Sequence, residues 1–236
     1  MKKTMFMVAV MAAVMAVTAL EVSAQSELSS KEKKELAKDM KKQKKELYKK
    51  SPKMAVKTAK QWKKEGWKSM SLPIEKQLER TWEREALYDE TGYPKYVSVQ
   101  VEALATNYSA AQMQAENVAK VRIASDLCAT VASLADVALA NNETTPELTA
   151  SISKAVENSK IVVSKKLGRV FAGTTVYKQD GNKVLVRMIV LYDQKQAVQI
   201  AHEAVLDELG DESDANRKQL EGLMGLDRIQ QAYNAR

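Results

Sequence analysis

The residues able to carry chemistry are few. The chain has one histidine and one cysteine in 236 residues. A Ser-His-Asp arrangement would depend entirely on His202, in Ala201-His202-Glu203-Ala204. Such a site needs a nucleophile and an orienting acid placed beside the imidazole, and the local sequence supplies neither, so His202 reads as a sheet-facing or surface histidine. No HExxH, GxSxG or phosphate-loop motif occurs. One His with one Cys cannot make a structural zinc site, and a single Cys cannot close an intramolecular disulfide. Asp89-Glu90 could meet a cation, but further oxygen ligands are missing; two acids just before Gly92 read as a helix end. Glu102 and Arg187 fall at the centres of two expected strands, where pairing would make them a cross-strand ion pair and not an active site. No catalytic, cofactor-binding or metal residue is assigned, and the chain is not read as an enzyme.

Those residues need elements to hold them. Ser71-Leu72-Pro73 reads as a helix start, with Ser71 as cap, Pro73 in the first turn and Glu75 opposing the positive end. Ile74, Leu78 and Trp82 follow at intervals of four, so this helix is expected to dock through Trp82 and to stop at Gly92 and Pro94. From Tyr96 to Ala103 apolar and polar residues alternate: Val97, Val99, Val101 and Ala103 face one way, Tyr96, Ser98, Gln100 and Glu102 the other. A long helix spans about Ser109–Asn141, with Ala111, Ala115, Ala119 and Val118 followed by Ile123, Leu127, Val131 and Leu134. Cys128 lies within it and reads as a buried thiol. After the turn at 141–146 a second helix runs from Pro146 to Lys166, with Leu148, Ile152, Val156 and Ile161 expected inward and Gly168 ending it. Arg169–Lys178 and Lys183–Tyr192 are β-rich runs around Asp180-Gly181, a strong hairpin signal. Gln194–Leu209 is the closing helix, with Val198, Ala201, Val205 and Leu209 on one side. The order helix–β–α–α–β–β–α predicts an α+β domain: a three-stranded antiparallel sheet packed against a helical hairpin and a closing helix.

Both ends of the chain carry other signals. Residues 1–24 read as a secretory signal peptide: Lys2 and Lys3, an uncharged apolar run from Met5 to Leu20, then Val22-Ser23-Ala24. That run is shorter than the roughly 20 residues a membrane span needs. No Cys lies near the cleavage site, so the chain is not expected to be a lipoprotein. Residues 25–70 form a basic, largely helical arm. Between Lys31 and Lys68 stand 16 Lys and no Arg against five acids, a net of +11, which leaves the rest of the cleaved chain mildly acidic. Leu36, Met40 and Leu47 make one thin apolar stripe; Met54, Ala55, Ala59 and Trp62 make another after Pro52. Lysine without arginine suits diffuse, point-charge attraction to an anionic polymer or lipid surface, and a solvated face is the plainer alternative. Lys with Trp62 and Trp67 would suit nucleic acid in a cytoplasmic protein, but an exported chain seldom meets it, so none is expected. Residues 71–210 are the body, and 211–236 a polar, helical tail with loose packing.

The strand ending Val99-Gln100-Val101, the helix stretch Ala119-Lys120-Val121-Arg122-Ile123-Ala124-Ser125-Asp126-Leu127, and Lys166-Leu167-Gly168-Arg169-Val170 before the hairpin resemble the LPP-twenty family of bacterial envelope proteins. The resemblance covers roughly Tyr93 to Ala204 and rests on small-residue spacing, with Ala115, Ala119 and Leu127 at positions that the family keeps small or apolar. Lys63-Lys64-Glu65-Gly66-Trp67-Lys68, Leu72-Pro73, Gln77-Leu78-Glu79-Arg80 and Gly92-Tyr93-Pro94-Lys95-Tyr96 are similar to secreted relatives of that family in Bacteroides-type bacteria. The resemblance implies an envelope location, a sheet-and-helix domain, and no catalytic residues to carry over. The chain departs from the lipoprotein members by lacking a lipid-accepting Cys.

Together these features point to an exported protein of the periplasm or outer-membrane periphery. It would be a non-enzymatic interaction or structural module whose arm meets anionic envelope polymers or lipids while the body contacts an envelope protein partner. The alternative is a small-ligand carrier or hydrolase with a pocket between the helical hairpin and the sheet. The polar sheet face (Tyr96, Ser98, Gln100, Glu102 and, on the hairpin, Arg187) is either covered by the Trp82 helix or open to a partner.

Overall fold

Alternation in three segments builds an antiparallel sheet. In the structure, a computed structural model describing residues 51–90, 92–141, 143–210, 221–222 and 225–234, β1 (Tyr96–Ala105), β2 (Phe171–Asp180) and β3 (Lys183–Asp193) pair in the order β1-β3-β2. Gly181, at φ +61°, makes the turn between β2 and β3 that a β-carbon would strain. The register sets Glu102 opposite Arg187 and Val176 opposite the same arginine, so one row crosses all three strands. The expected signal peptide, the arm as far as residue 50 with Leu36, Met40 and Leu47, and tail residues 211–220 lie outside the described residues.

One face of the sheet carries the main core. Val97, Val99, Val101 and Ala103 of β1, with Val184, Val186, Met188 and Val190 of β3, meet α3 (Tyr108–Ala140), α4 (Pro146–Lys166) and α5 (Gln194–Leu209). Ala111, Ala115 and Ala119 are fully buried, so their small side chains let the first half of α3 lie close on the sheet. Ile123, Leu127 and Val131 then fill the wider space, and the fully buried Cys128 has its thiol pushed up to about 11 by burial. Val118 is exposed. Among the described residues α3 is the helix long and apolar enough to cross a membrane; one side of it lines this core, while Met113, Val121 and Val137 are exposed. The helices start where side chains satisfy their first amides: Asn107 Oδ1 accepts from Ala110 N, Thr145 Oγ1 from Leu148 N, and Asp193 Oδ1 from Gln196 N.

Four expectations need correcting. Ile161 points to solvent, not inward. It sits about 140° round the helix from Val156, whereas Ser159 and Val163 continue the buried stripe. Ser159 Oγ lies 2.7 Å from Ala155 O and 3.0 Å from Ala204 O, tying α4 to α5. Ser71 does not cap the helix that follows. Pro73 is its N-cap without a side-chain bond, because Ser71 is folded back with its amide donating to Ser69 Oγ. That helix, α2 (Ile74–Glu85), ends well before Gly92 and docks chiefly through Ile74, Leu78 and Thr81, with half-buried Trp82 packed against the same cluster. The tail is not loosely packed throughout. In α6 (Leu226–Asn234) Ile229 is fully buried in the main core, Gln230 Nε2 donates to Asp89 Oδ2 at 3.1 Å, and Arg228 reaches Glu143 Oε2 at 3.3 Å.

The other sheet face has a layer of its own. The helix at residues 51–64, here α1, and α2 pack Ala55, Ala59, Trp62, Trp67, Ile74 and Leu78 onto Val176 and Ile189. Residues 51–70, the second half of the arm segment, therefore belong to the same compact unit as the sheet.

Candidate functional site

In α1 the buried positions 55, 59 and 62 repeat at spacings of four and three, which makes one helical stripe. The opposite side repeats too. Lys53, Lys57, Lys60 and Lys64 follow at four, three and four, all exposed, and none forms an ion pair among the described residues. Lys63, off that row, bonds Glu75 Oε2 at 3.0 Å. Its hydrogen bond, after that of the Glu75 amide itself, holds the Glu75 carboxyl below the usual range. A lysine row so placed is a solvated cationic face, and its chemistry is point-charge attraction without bidentate recognition.

What fixes this row in space is an arginine between tryptophans. Arg187 projects from the middle of β3 onto the outer face, and its Nε donates to Glu102 Oε1 at 2.6 Å. Its guanidinium carbon lies 4.2 Å from the Trp67 ring centre and 5.0 Å from that of Trp62. Lys178 Nζ is 4.7 Å from the Trp67 ring as well. Cation–π contacts of this kind are worth about 0.5–2 kcal/mol each, more when water is excluded; the Arg187 side chain is only 18% exposed. Trp67 Nε1 donates to Glu65 Oε2 at 3.3 Å and Gln61 Nε2 to Glu65 Oε1 at 3.0 Å. The Gln61 bond, ahead of Trp67, Arg187 and Lys178, lowers the Glu65 carboxyl. Trp62 and Trp67 are thus buried packing groups, not exposed stacking platforms.

The polar sheet face is neither wholly covered nor wholly open. α1, Trp67 and α2 lie over β2 and β3, while Ser98, Gln100 and Glu102 of β1 remain exposed. Glu85 at the end of α2 accepts a hydrogen bond from Ser98 Oγ. Burial drives the Glu85 carboxyl above the usual range, and the Ser98 bond offsets part of that. Lys68 pairs with Tyr177 through two backbone bonds of 2.7 and 2.8 Å, covering the outer edge of β2. At the other edge Arg122 reaches the Gln100 carbonyl at 3.4 Å.

The sequence candidates are scattered. His202 on α5 is half-buried with Nε2 unpartnered, and burial lowers its pKa against the pull of Glu203 and Glu221. Asp89 accepts from Tyr93 N and Gln230 Nε2, holding a turn and α6, while Glu90 is exposed. Glu102 and Arg187 do meet, and Cys128 is buried elsewhere on α3. Among the described residues no three His, Cys, Asp or Glu side chains gather to hold a metal ion. The hairpin–sheet interface, where a carrier or hydrolase would need its pocket, is occupied by buried Ala, Ile, Leu, Val and Met side chains. Sequence reading missed Gln77, a buried amide whose Oε1 accepts from Thr175 N at 2.8 Å; its position one residue before Leu78 on the docking stripe was the available signal. No protein-family model, no curated protein and no solved structure matches this chain, so what is known of its site is what these side chains and their geometry provide.

Proposed function

We propose that this is an exported, non-enzymatic module of the cell envelope, resident in the periplasm or at the outer-membrane periphery. Its cationic arm holds it against anionic envelope polymers or lipids, and its LPP-twenty-like body is left to contact a protein partner. The observation that carries this reading is the row Lys53, Lys57, Lys60 and Lys64, held outward because Ala55, Ala59 and Trp62 are buried against the sheet. The buried stripe fixes the helix backbone, so the four lysines are presented together on one side. The signal-like residues 1–24 and the envelope-family resemblance support the address.

Cosedimentation of the full chain with anionic vesicles or peptidoglycan at rising salt tests it. Each lysine near an anionic surface contributes about 1 kcal/mol at low ionic strength. Replacing all four with Gln is expected to weaken binding at least about tenfold and to flatten its salt dependence, without changing the melting temperature. Binding unchanged in the four-lysine variant, or equal on neutral vesicles, would sink the proposal.

A further inference from the structure

The connection between α1 and α2 holds apolar side chains out in water on purpose-built supports. Met70 is 63% exposed and Leu72 41% exposed. The Ser69 hydroxyl of the same loop is spent on bonds within the loop and to Gln77. Ser69 Oγ donates to Leu72 O at 2.8 Å and accepts from Ser71 N at 3.3 Å and from Gln77 Nε2 at 2.6 Å. Gln77 Nε2 spends its second proton on Leu72 O at 2.7 Å. Gln77 is buried and its oxygen is tied to β2, so the loop is bolted to the sheet. The backbone bonds of Lys68 to Tyr177 bolt its other end. These bonds hold the loop backbone in a conformation that leaves Met70 and Leu72 exposed.

Beside them lies a groove of about 340 Å³ whose lining mixes apolar Trp67, Leu72, Pro73 and Ile74 with Ser69, Ser71 and two lysines. Of its two lysines, Lys63 is paired with Glu75 at 3.0 Å, and exposed Lys68 stands next to the apolar side chains. A hydrated polysaccharide gives Met and Leu nothing to be buried in, whereas the boundary of a bilayer offers acyl chains below and phosphates above. We infer that the loop 69–73 is a wedge for an anionic lipid surface, with Met70 and Leu72 entering the acyl boundary while Lys68 remains level with the phosphates. This rests on the electrostatic reading above and narrows it from polyanions in general to lipid.

The test uses the full chain with Met70→Cys carrying an environment-sensitive fluorophore. Cys128 is fully buried, so the label goes to position 70. On vesicles of mixed phosphatidylglycerol and phosphatidylcholine the emission is expected to shift to the blue and to be quenched by lipids brominated along their chains. In the unlabelled protein, Met70→Ser with Leu72→Ser is expected to lower vesicle partitioning by about tenfold or more, leaving the salt slope and the melting temperature as they were. Vesicle binding with a water-like label, or binding undiminished in the double-serine variant, overturns the wedge alone. Binding to peptidoglycan but not to vesicles does the same. If the unaltered chain sediments with neither surface, the electrostatic reading falls and the wedge with it.

Discussion

Arg187 and Glu85 face the same outer layer, and burial acts on them in opposite ways. The fold surrounds the Arg187 guanidinium with a carboxylate and two indole rings. Glu85 can take up a proton, and its environment favours that: burial raises its pKa, with only the Ser98 hydroxyl answering it. The sign of the linkage follows. Between the unfolded pKa, about 4.3, and the higher folded value, the native state holds the proton more tightly, so stability falls as pH rises through that window. Glu85→Gln keeps the acceptor for Ser98 and removes the charge. The variant is expected to melt about 1–3 °C above the parent at pH 7, with the gap closing as pH drops toward 4. Melting curves across that range decide it; a gap that does not depend on pH means that burial of the charge is not the cause.

At the scale of elements, most of the fold was readable because the chain punctuates itself. Thr145-Pro146, Gly168 and Asp180-Gly181 mark boundaries that the structure keeps, and the α+β order with its antiparallel three-stranded sheet is as expected. Boundaries failed where two signals competed. Ser71 offered a hydroxyl before Pro73, but its amide is drawn to Ser69 Oγ, which the tertiary bond from Gln77 holds in a turn. β2 starts at Phe171 and not Arg169, and just inside it the pairing shifts register between Ala172 and Thr174. Gly173, at that bulge, is where α2 touches the sheet. A β-carbon there would stand 2.7 Å from Thr81 Oγ1 and 2.9 Å from Thr81 Cγ2. Thr81 has little room to yield, being β-branched and bonded to Thr174 Oγ1 at 2.8 Å. Gly173→Ala is therefore expected to cost about 1–3 kcal/mol, read by chemical denaturation. Combined with Thr81→Ala, the loss should be smaller than the sum of the two single losses; strict additivity would show that the close approach is not what Gly173 serves.

For the molecule as a whole, periodicity says which side of an element is apolar but not what lies upon it. That is why the outer layer was illegible. Trp62 and Trp67 read as part of a lysine arm, Arg187 as one polar residue on a strand, and only the folded chain brings them together over β3. The open row on β1 and the loop at Met70 share that origin, since both are decided by where α1 and α2 stop covering the sheet.

The far end of the chain repeats the lesson, and there it can be tested against a neighbour. Ile229 and Ile161 are both isoleucines on helices that pack around the main core, and local patterning placed the wrong one inside. Ile229 is fully buried although its helix follows a long polar stretch, while Ile161 is 64% exposed. The helix of Ile229 also joins three separate parts of the molecule. Gln230 reaches Asp89 ahead of β1, Arg228 reaches Glu143 before α4, and Asn234 Oδ1 accepts from Gln194 at the head of α5 at 3.0 Å. Truncating a buried isoleucine removes its transfer energy and leaves a cavity, about 2–4 kcal/mol in all. Ile229→Ala is thus expected to lower the melting temperature by on the order of 5–15 °C, while Ile161→Ala, a solvent-side change, stays within about 0.5 kcal/mol. Thermal unfolding of the two single variants provides the comparison. Equal small losses would mean that the C-terminal helix does not close the core, and that the body is complete at Leu209.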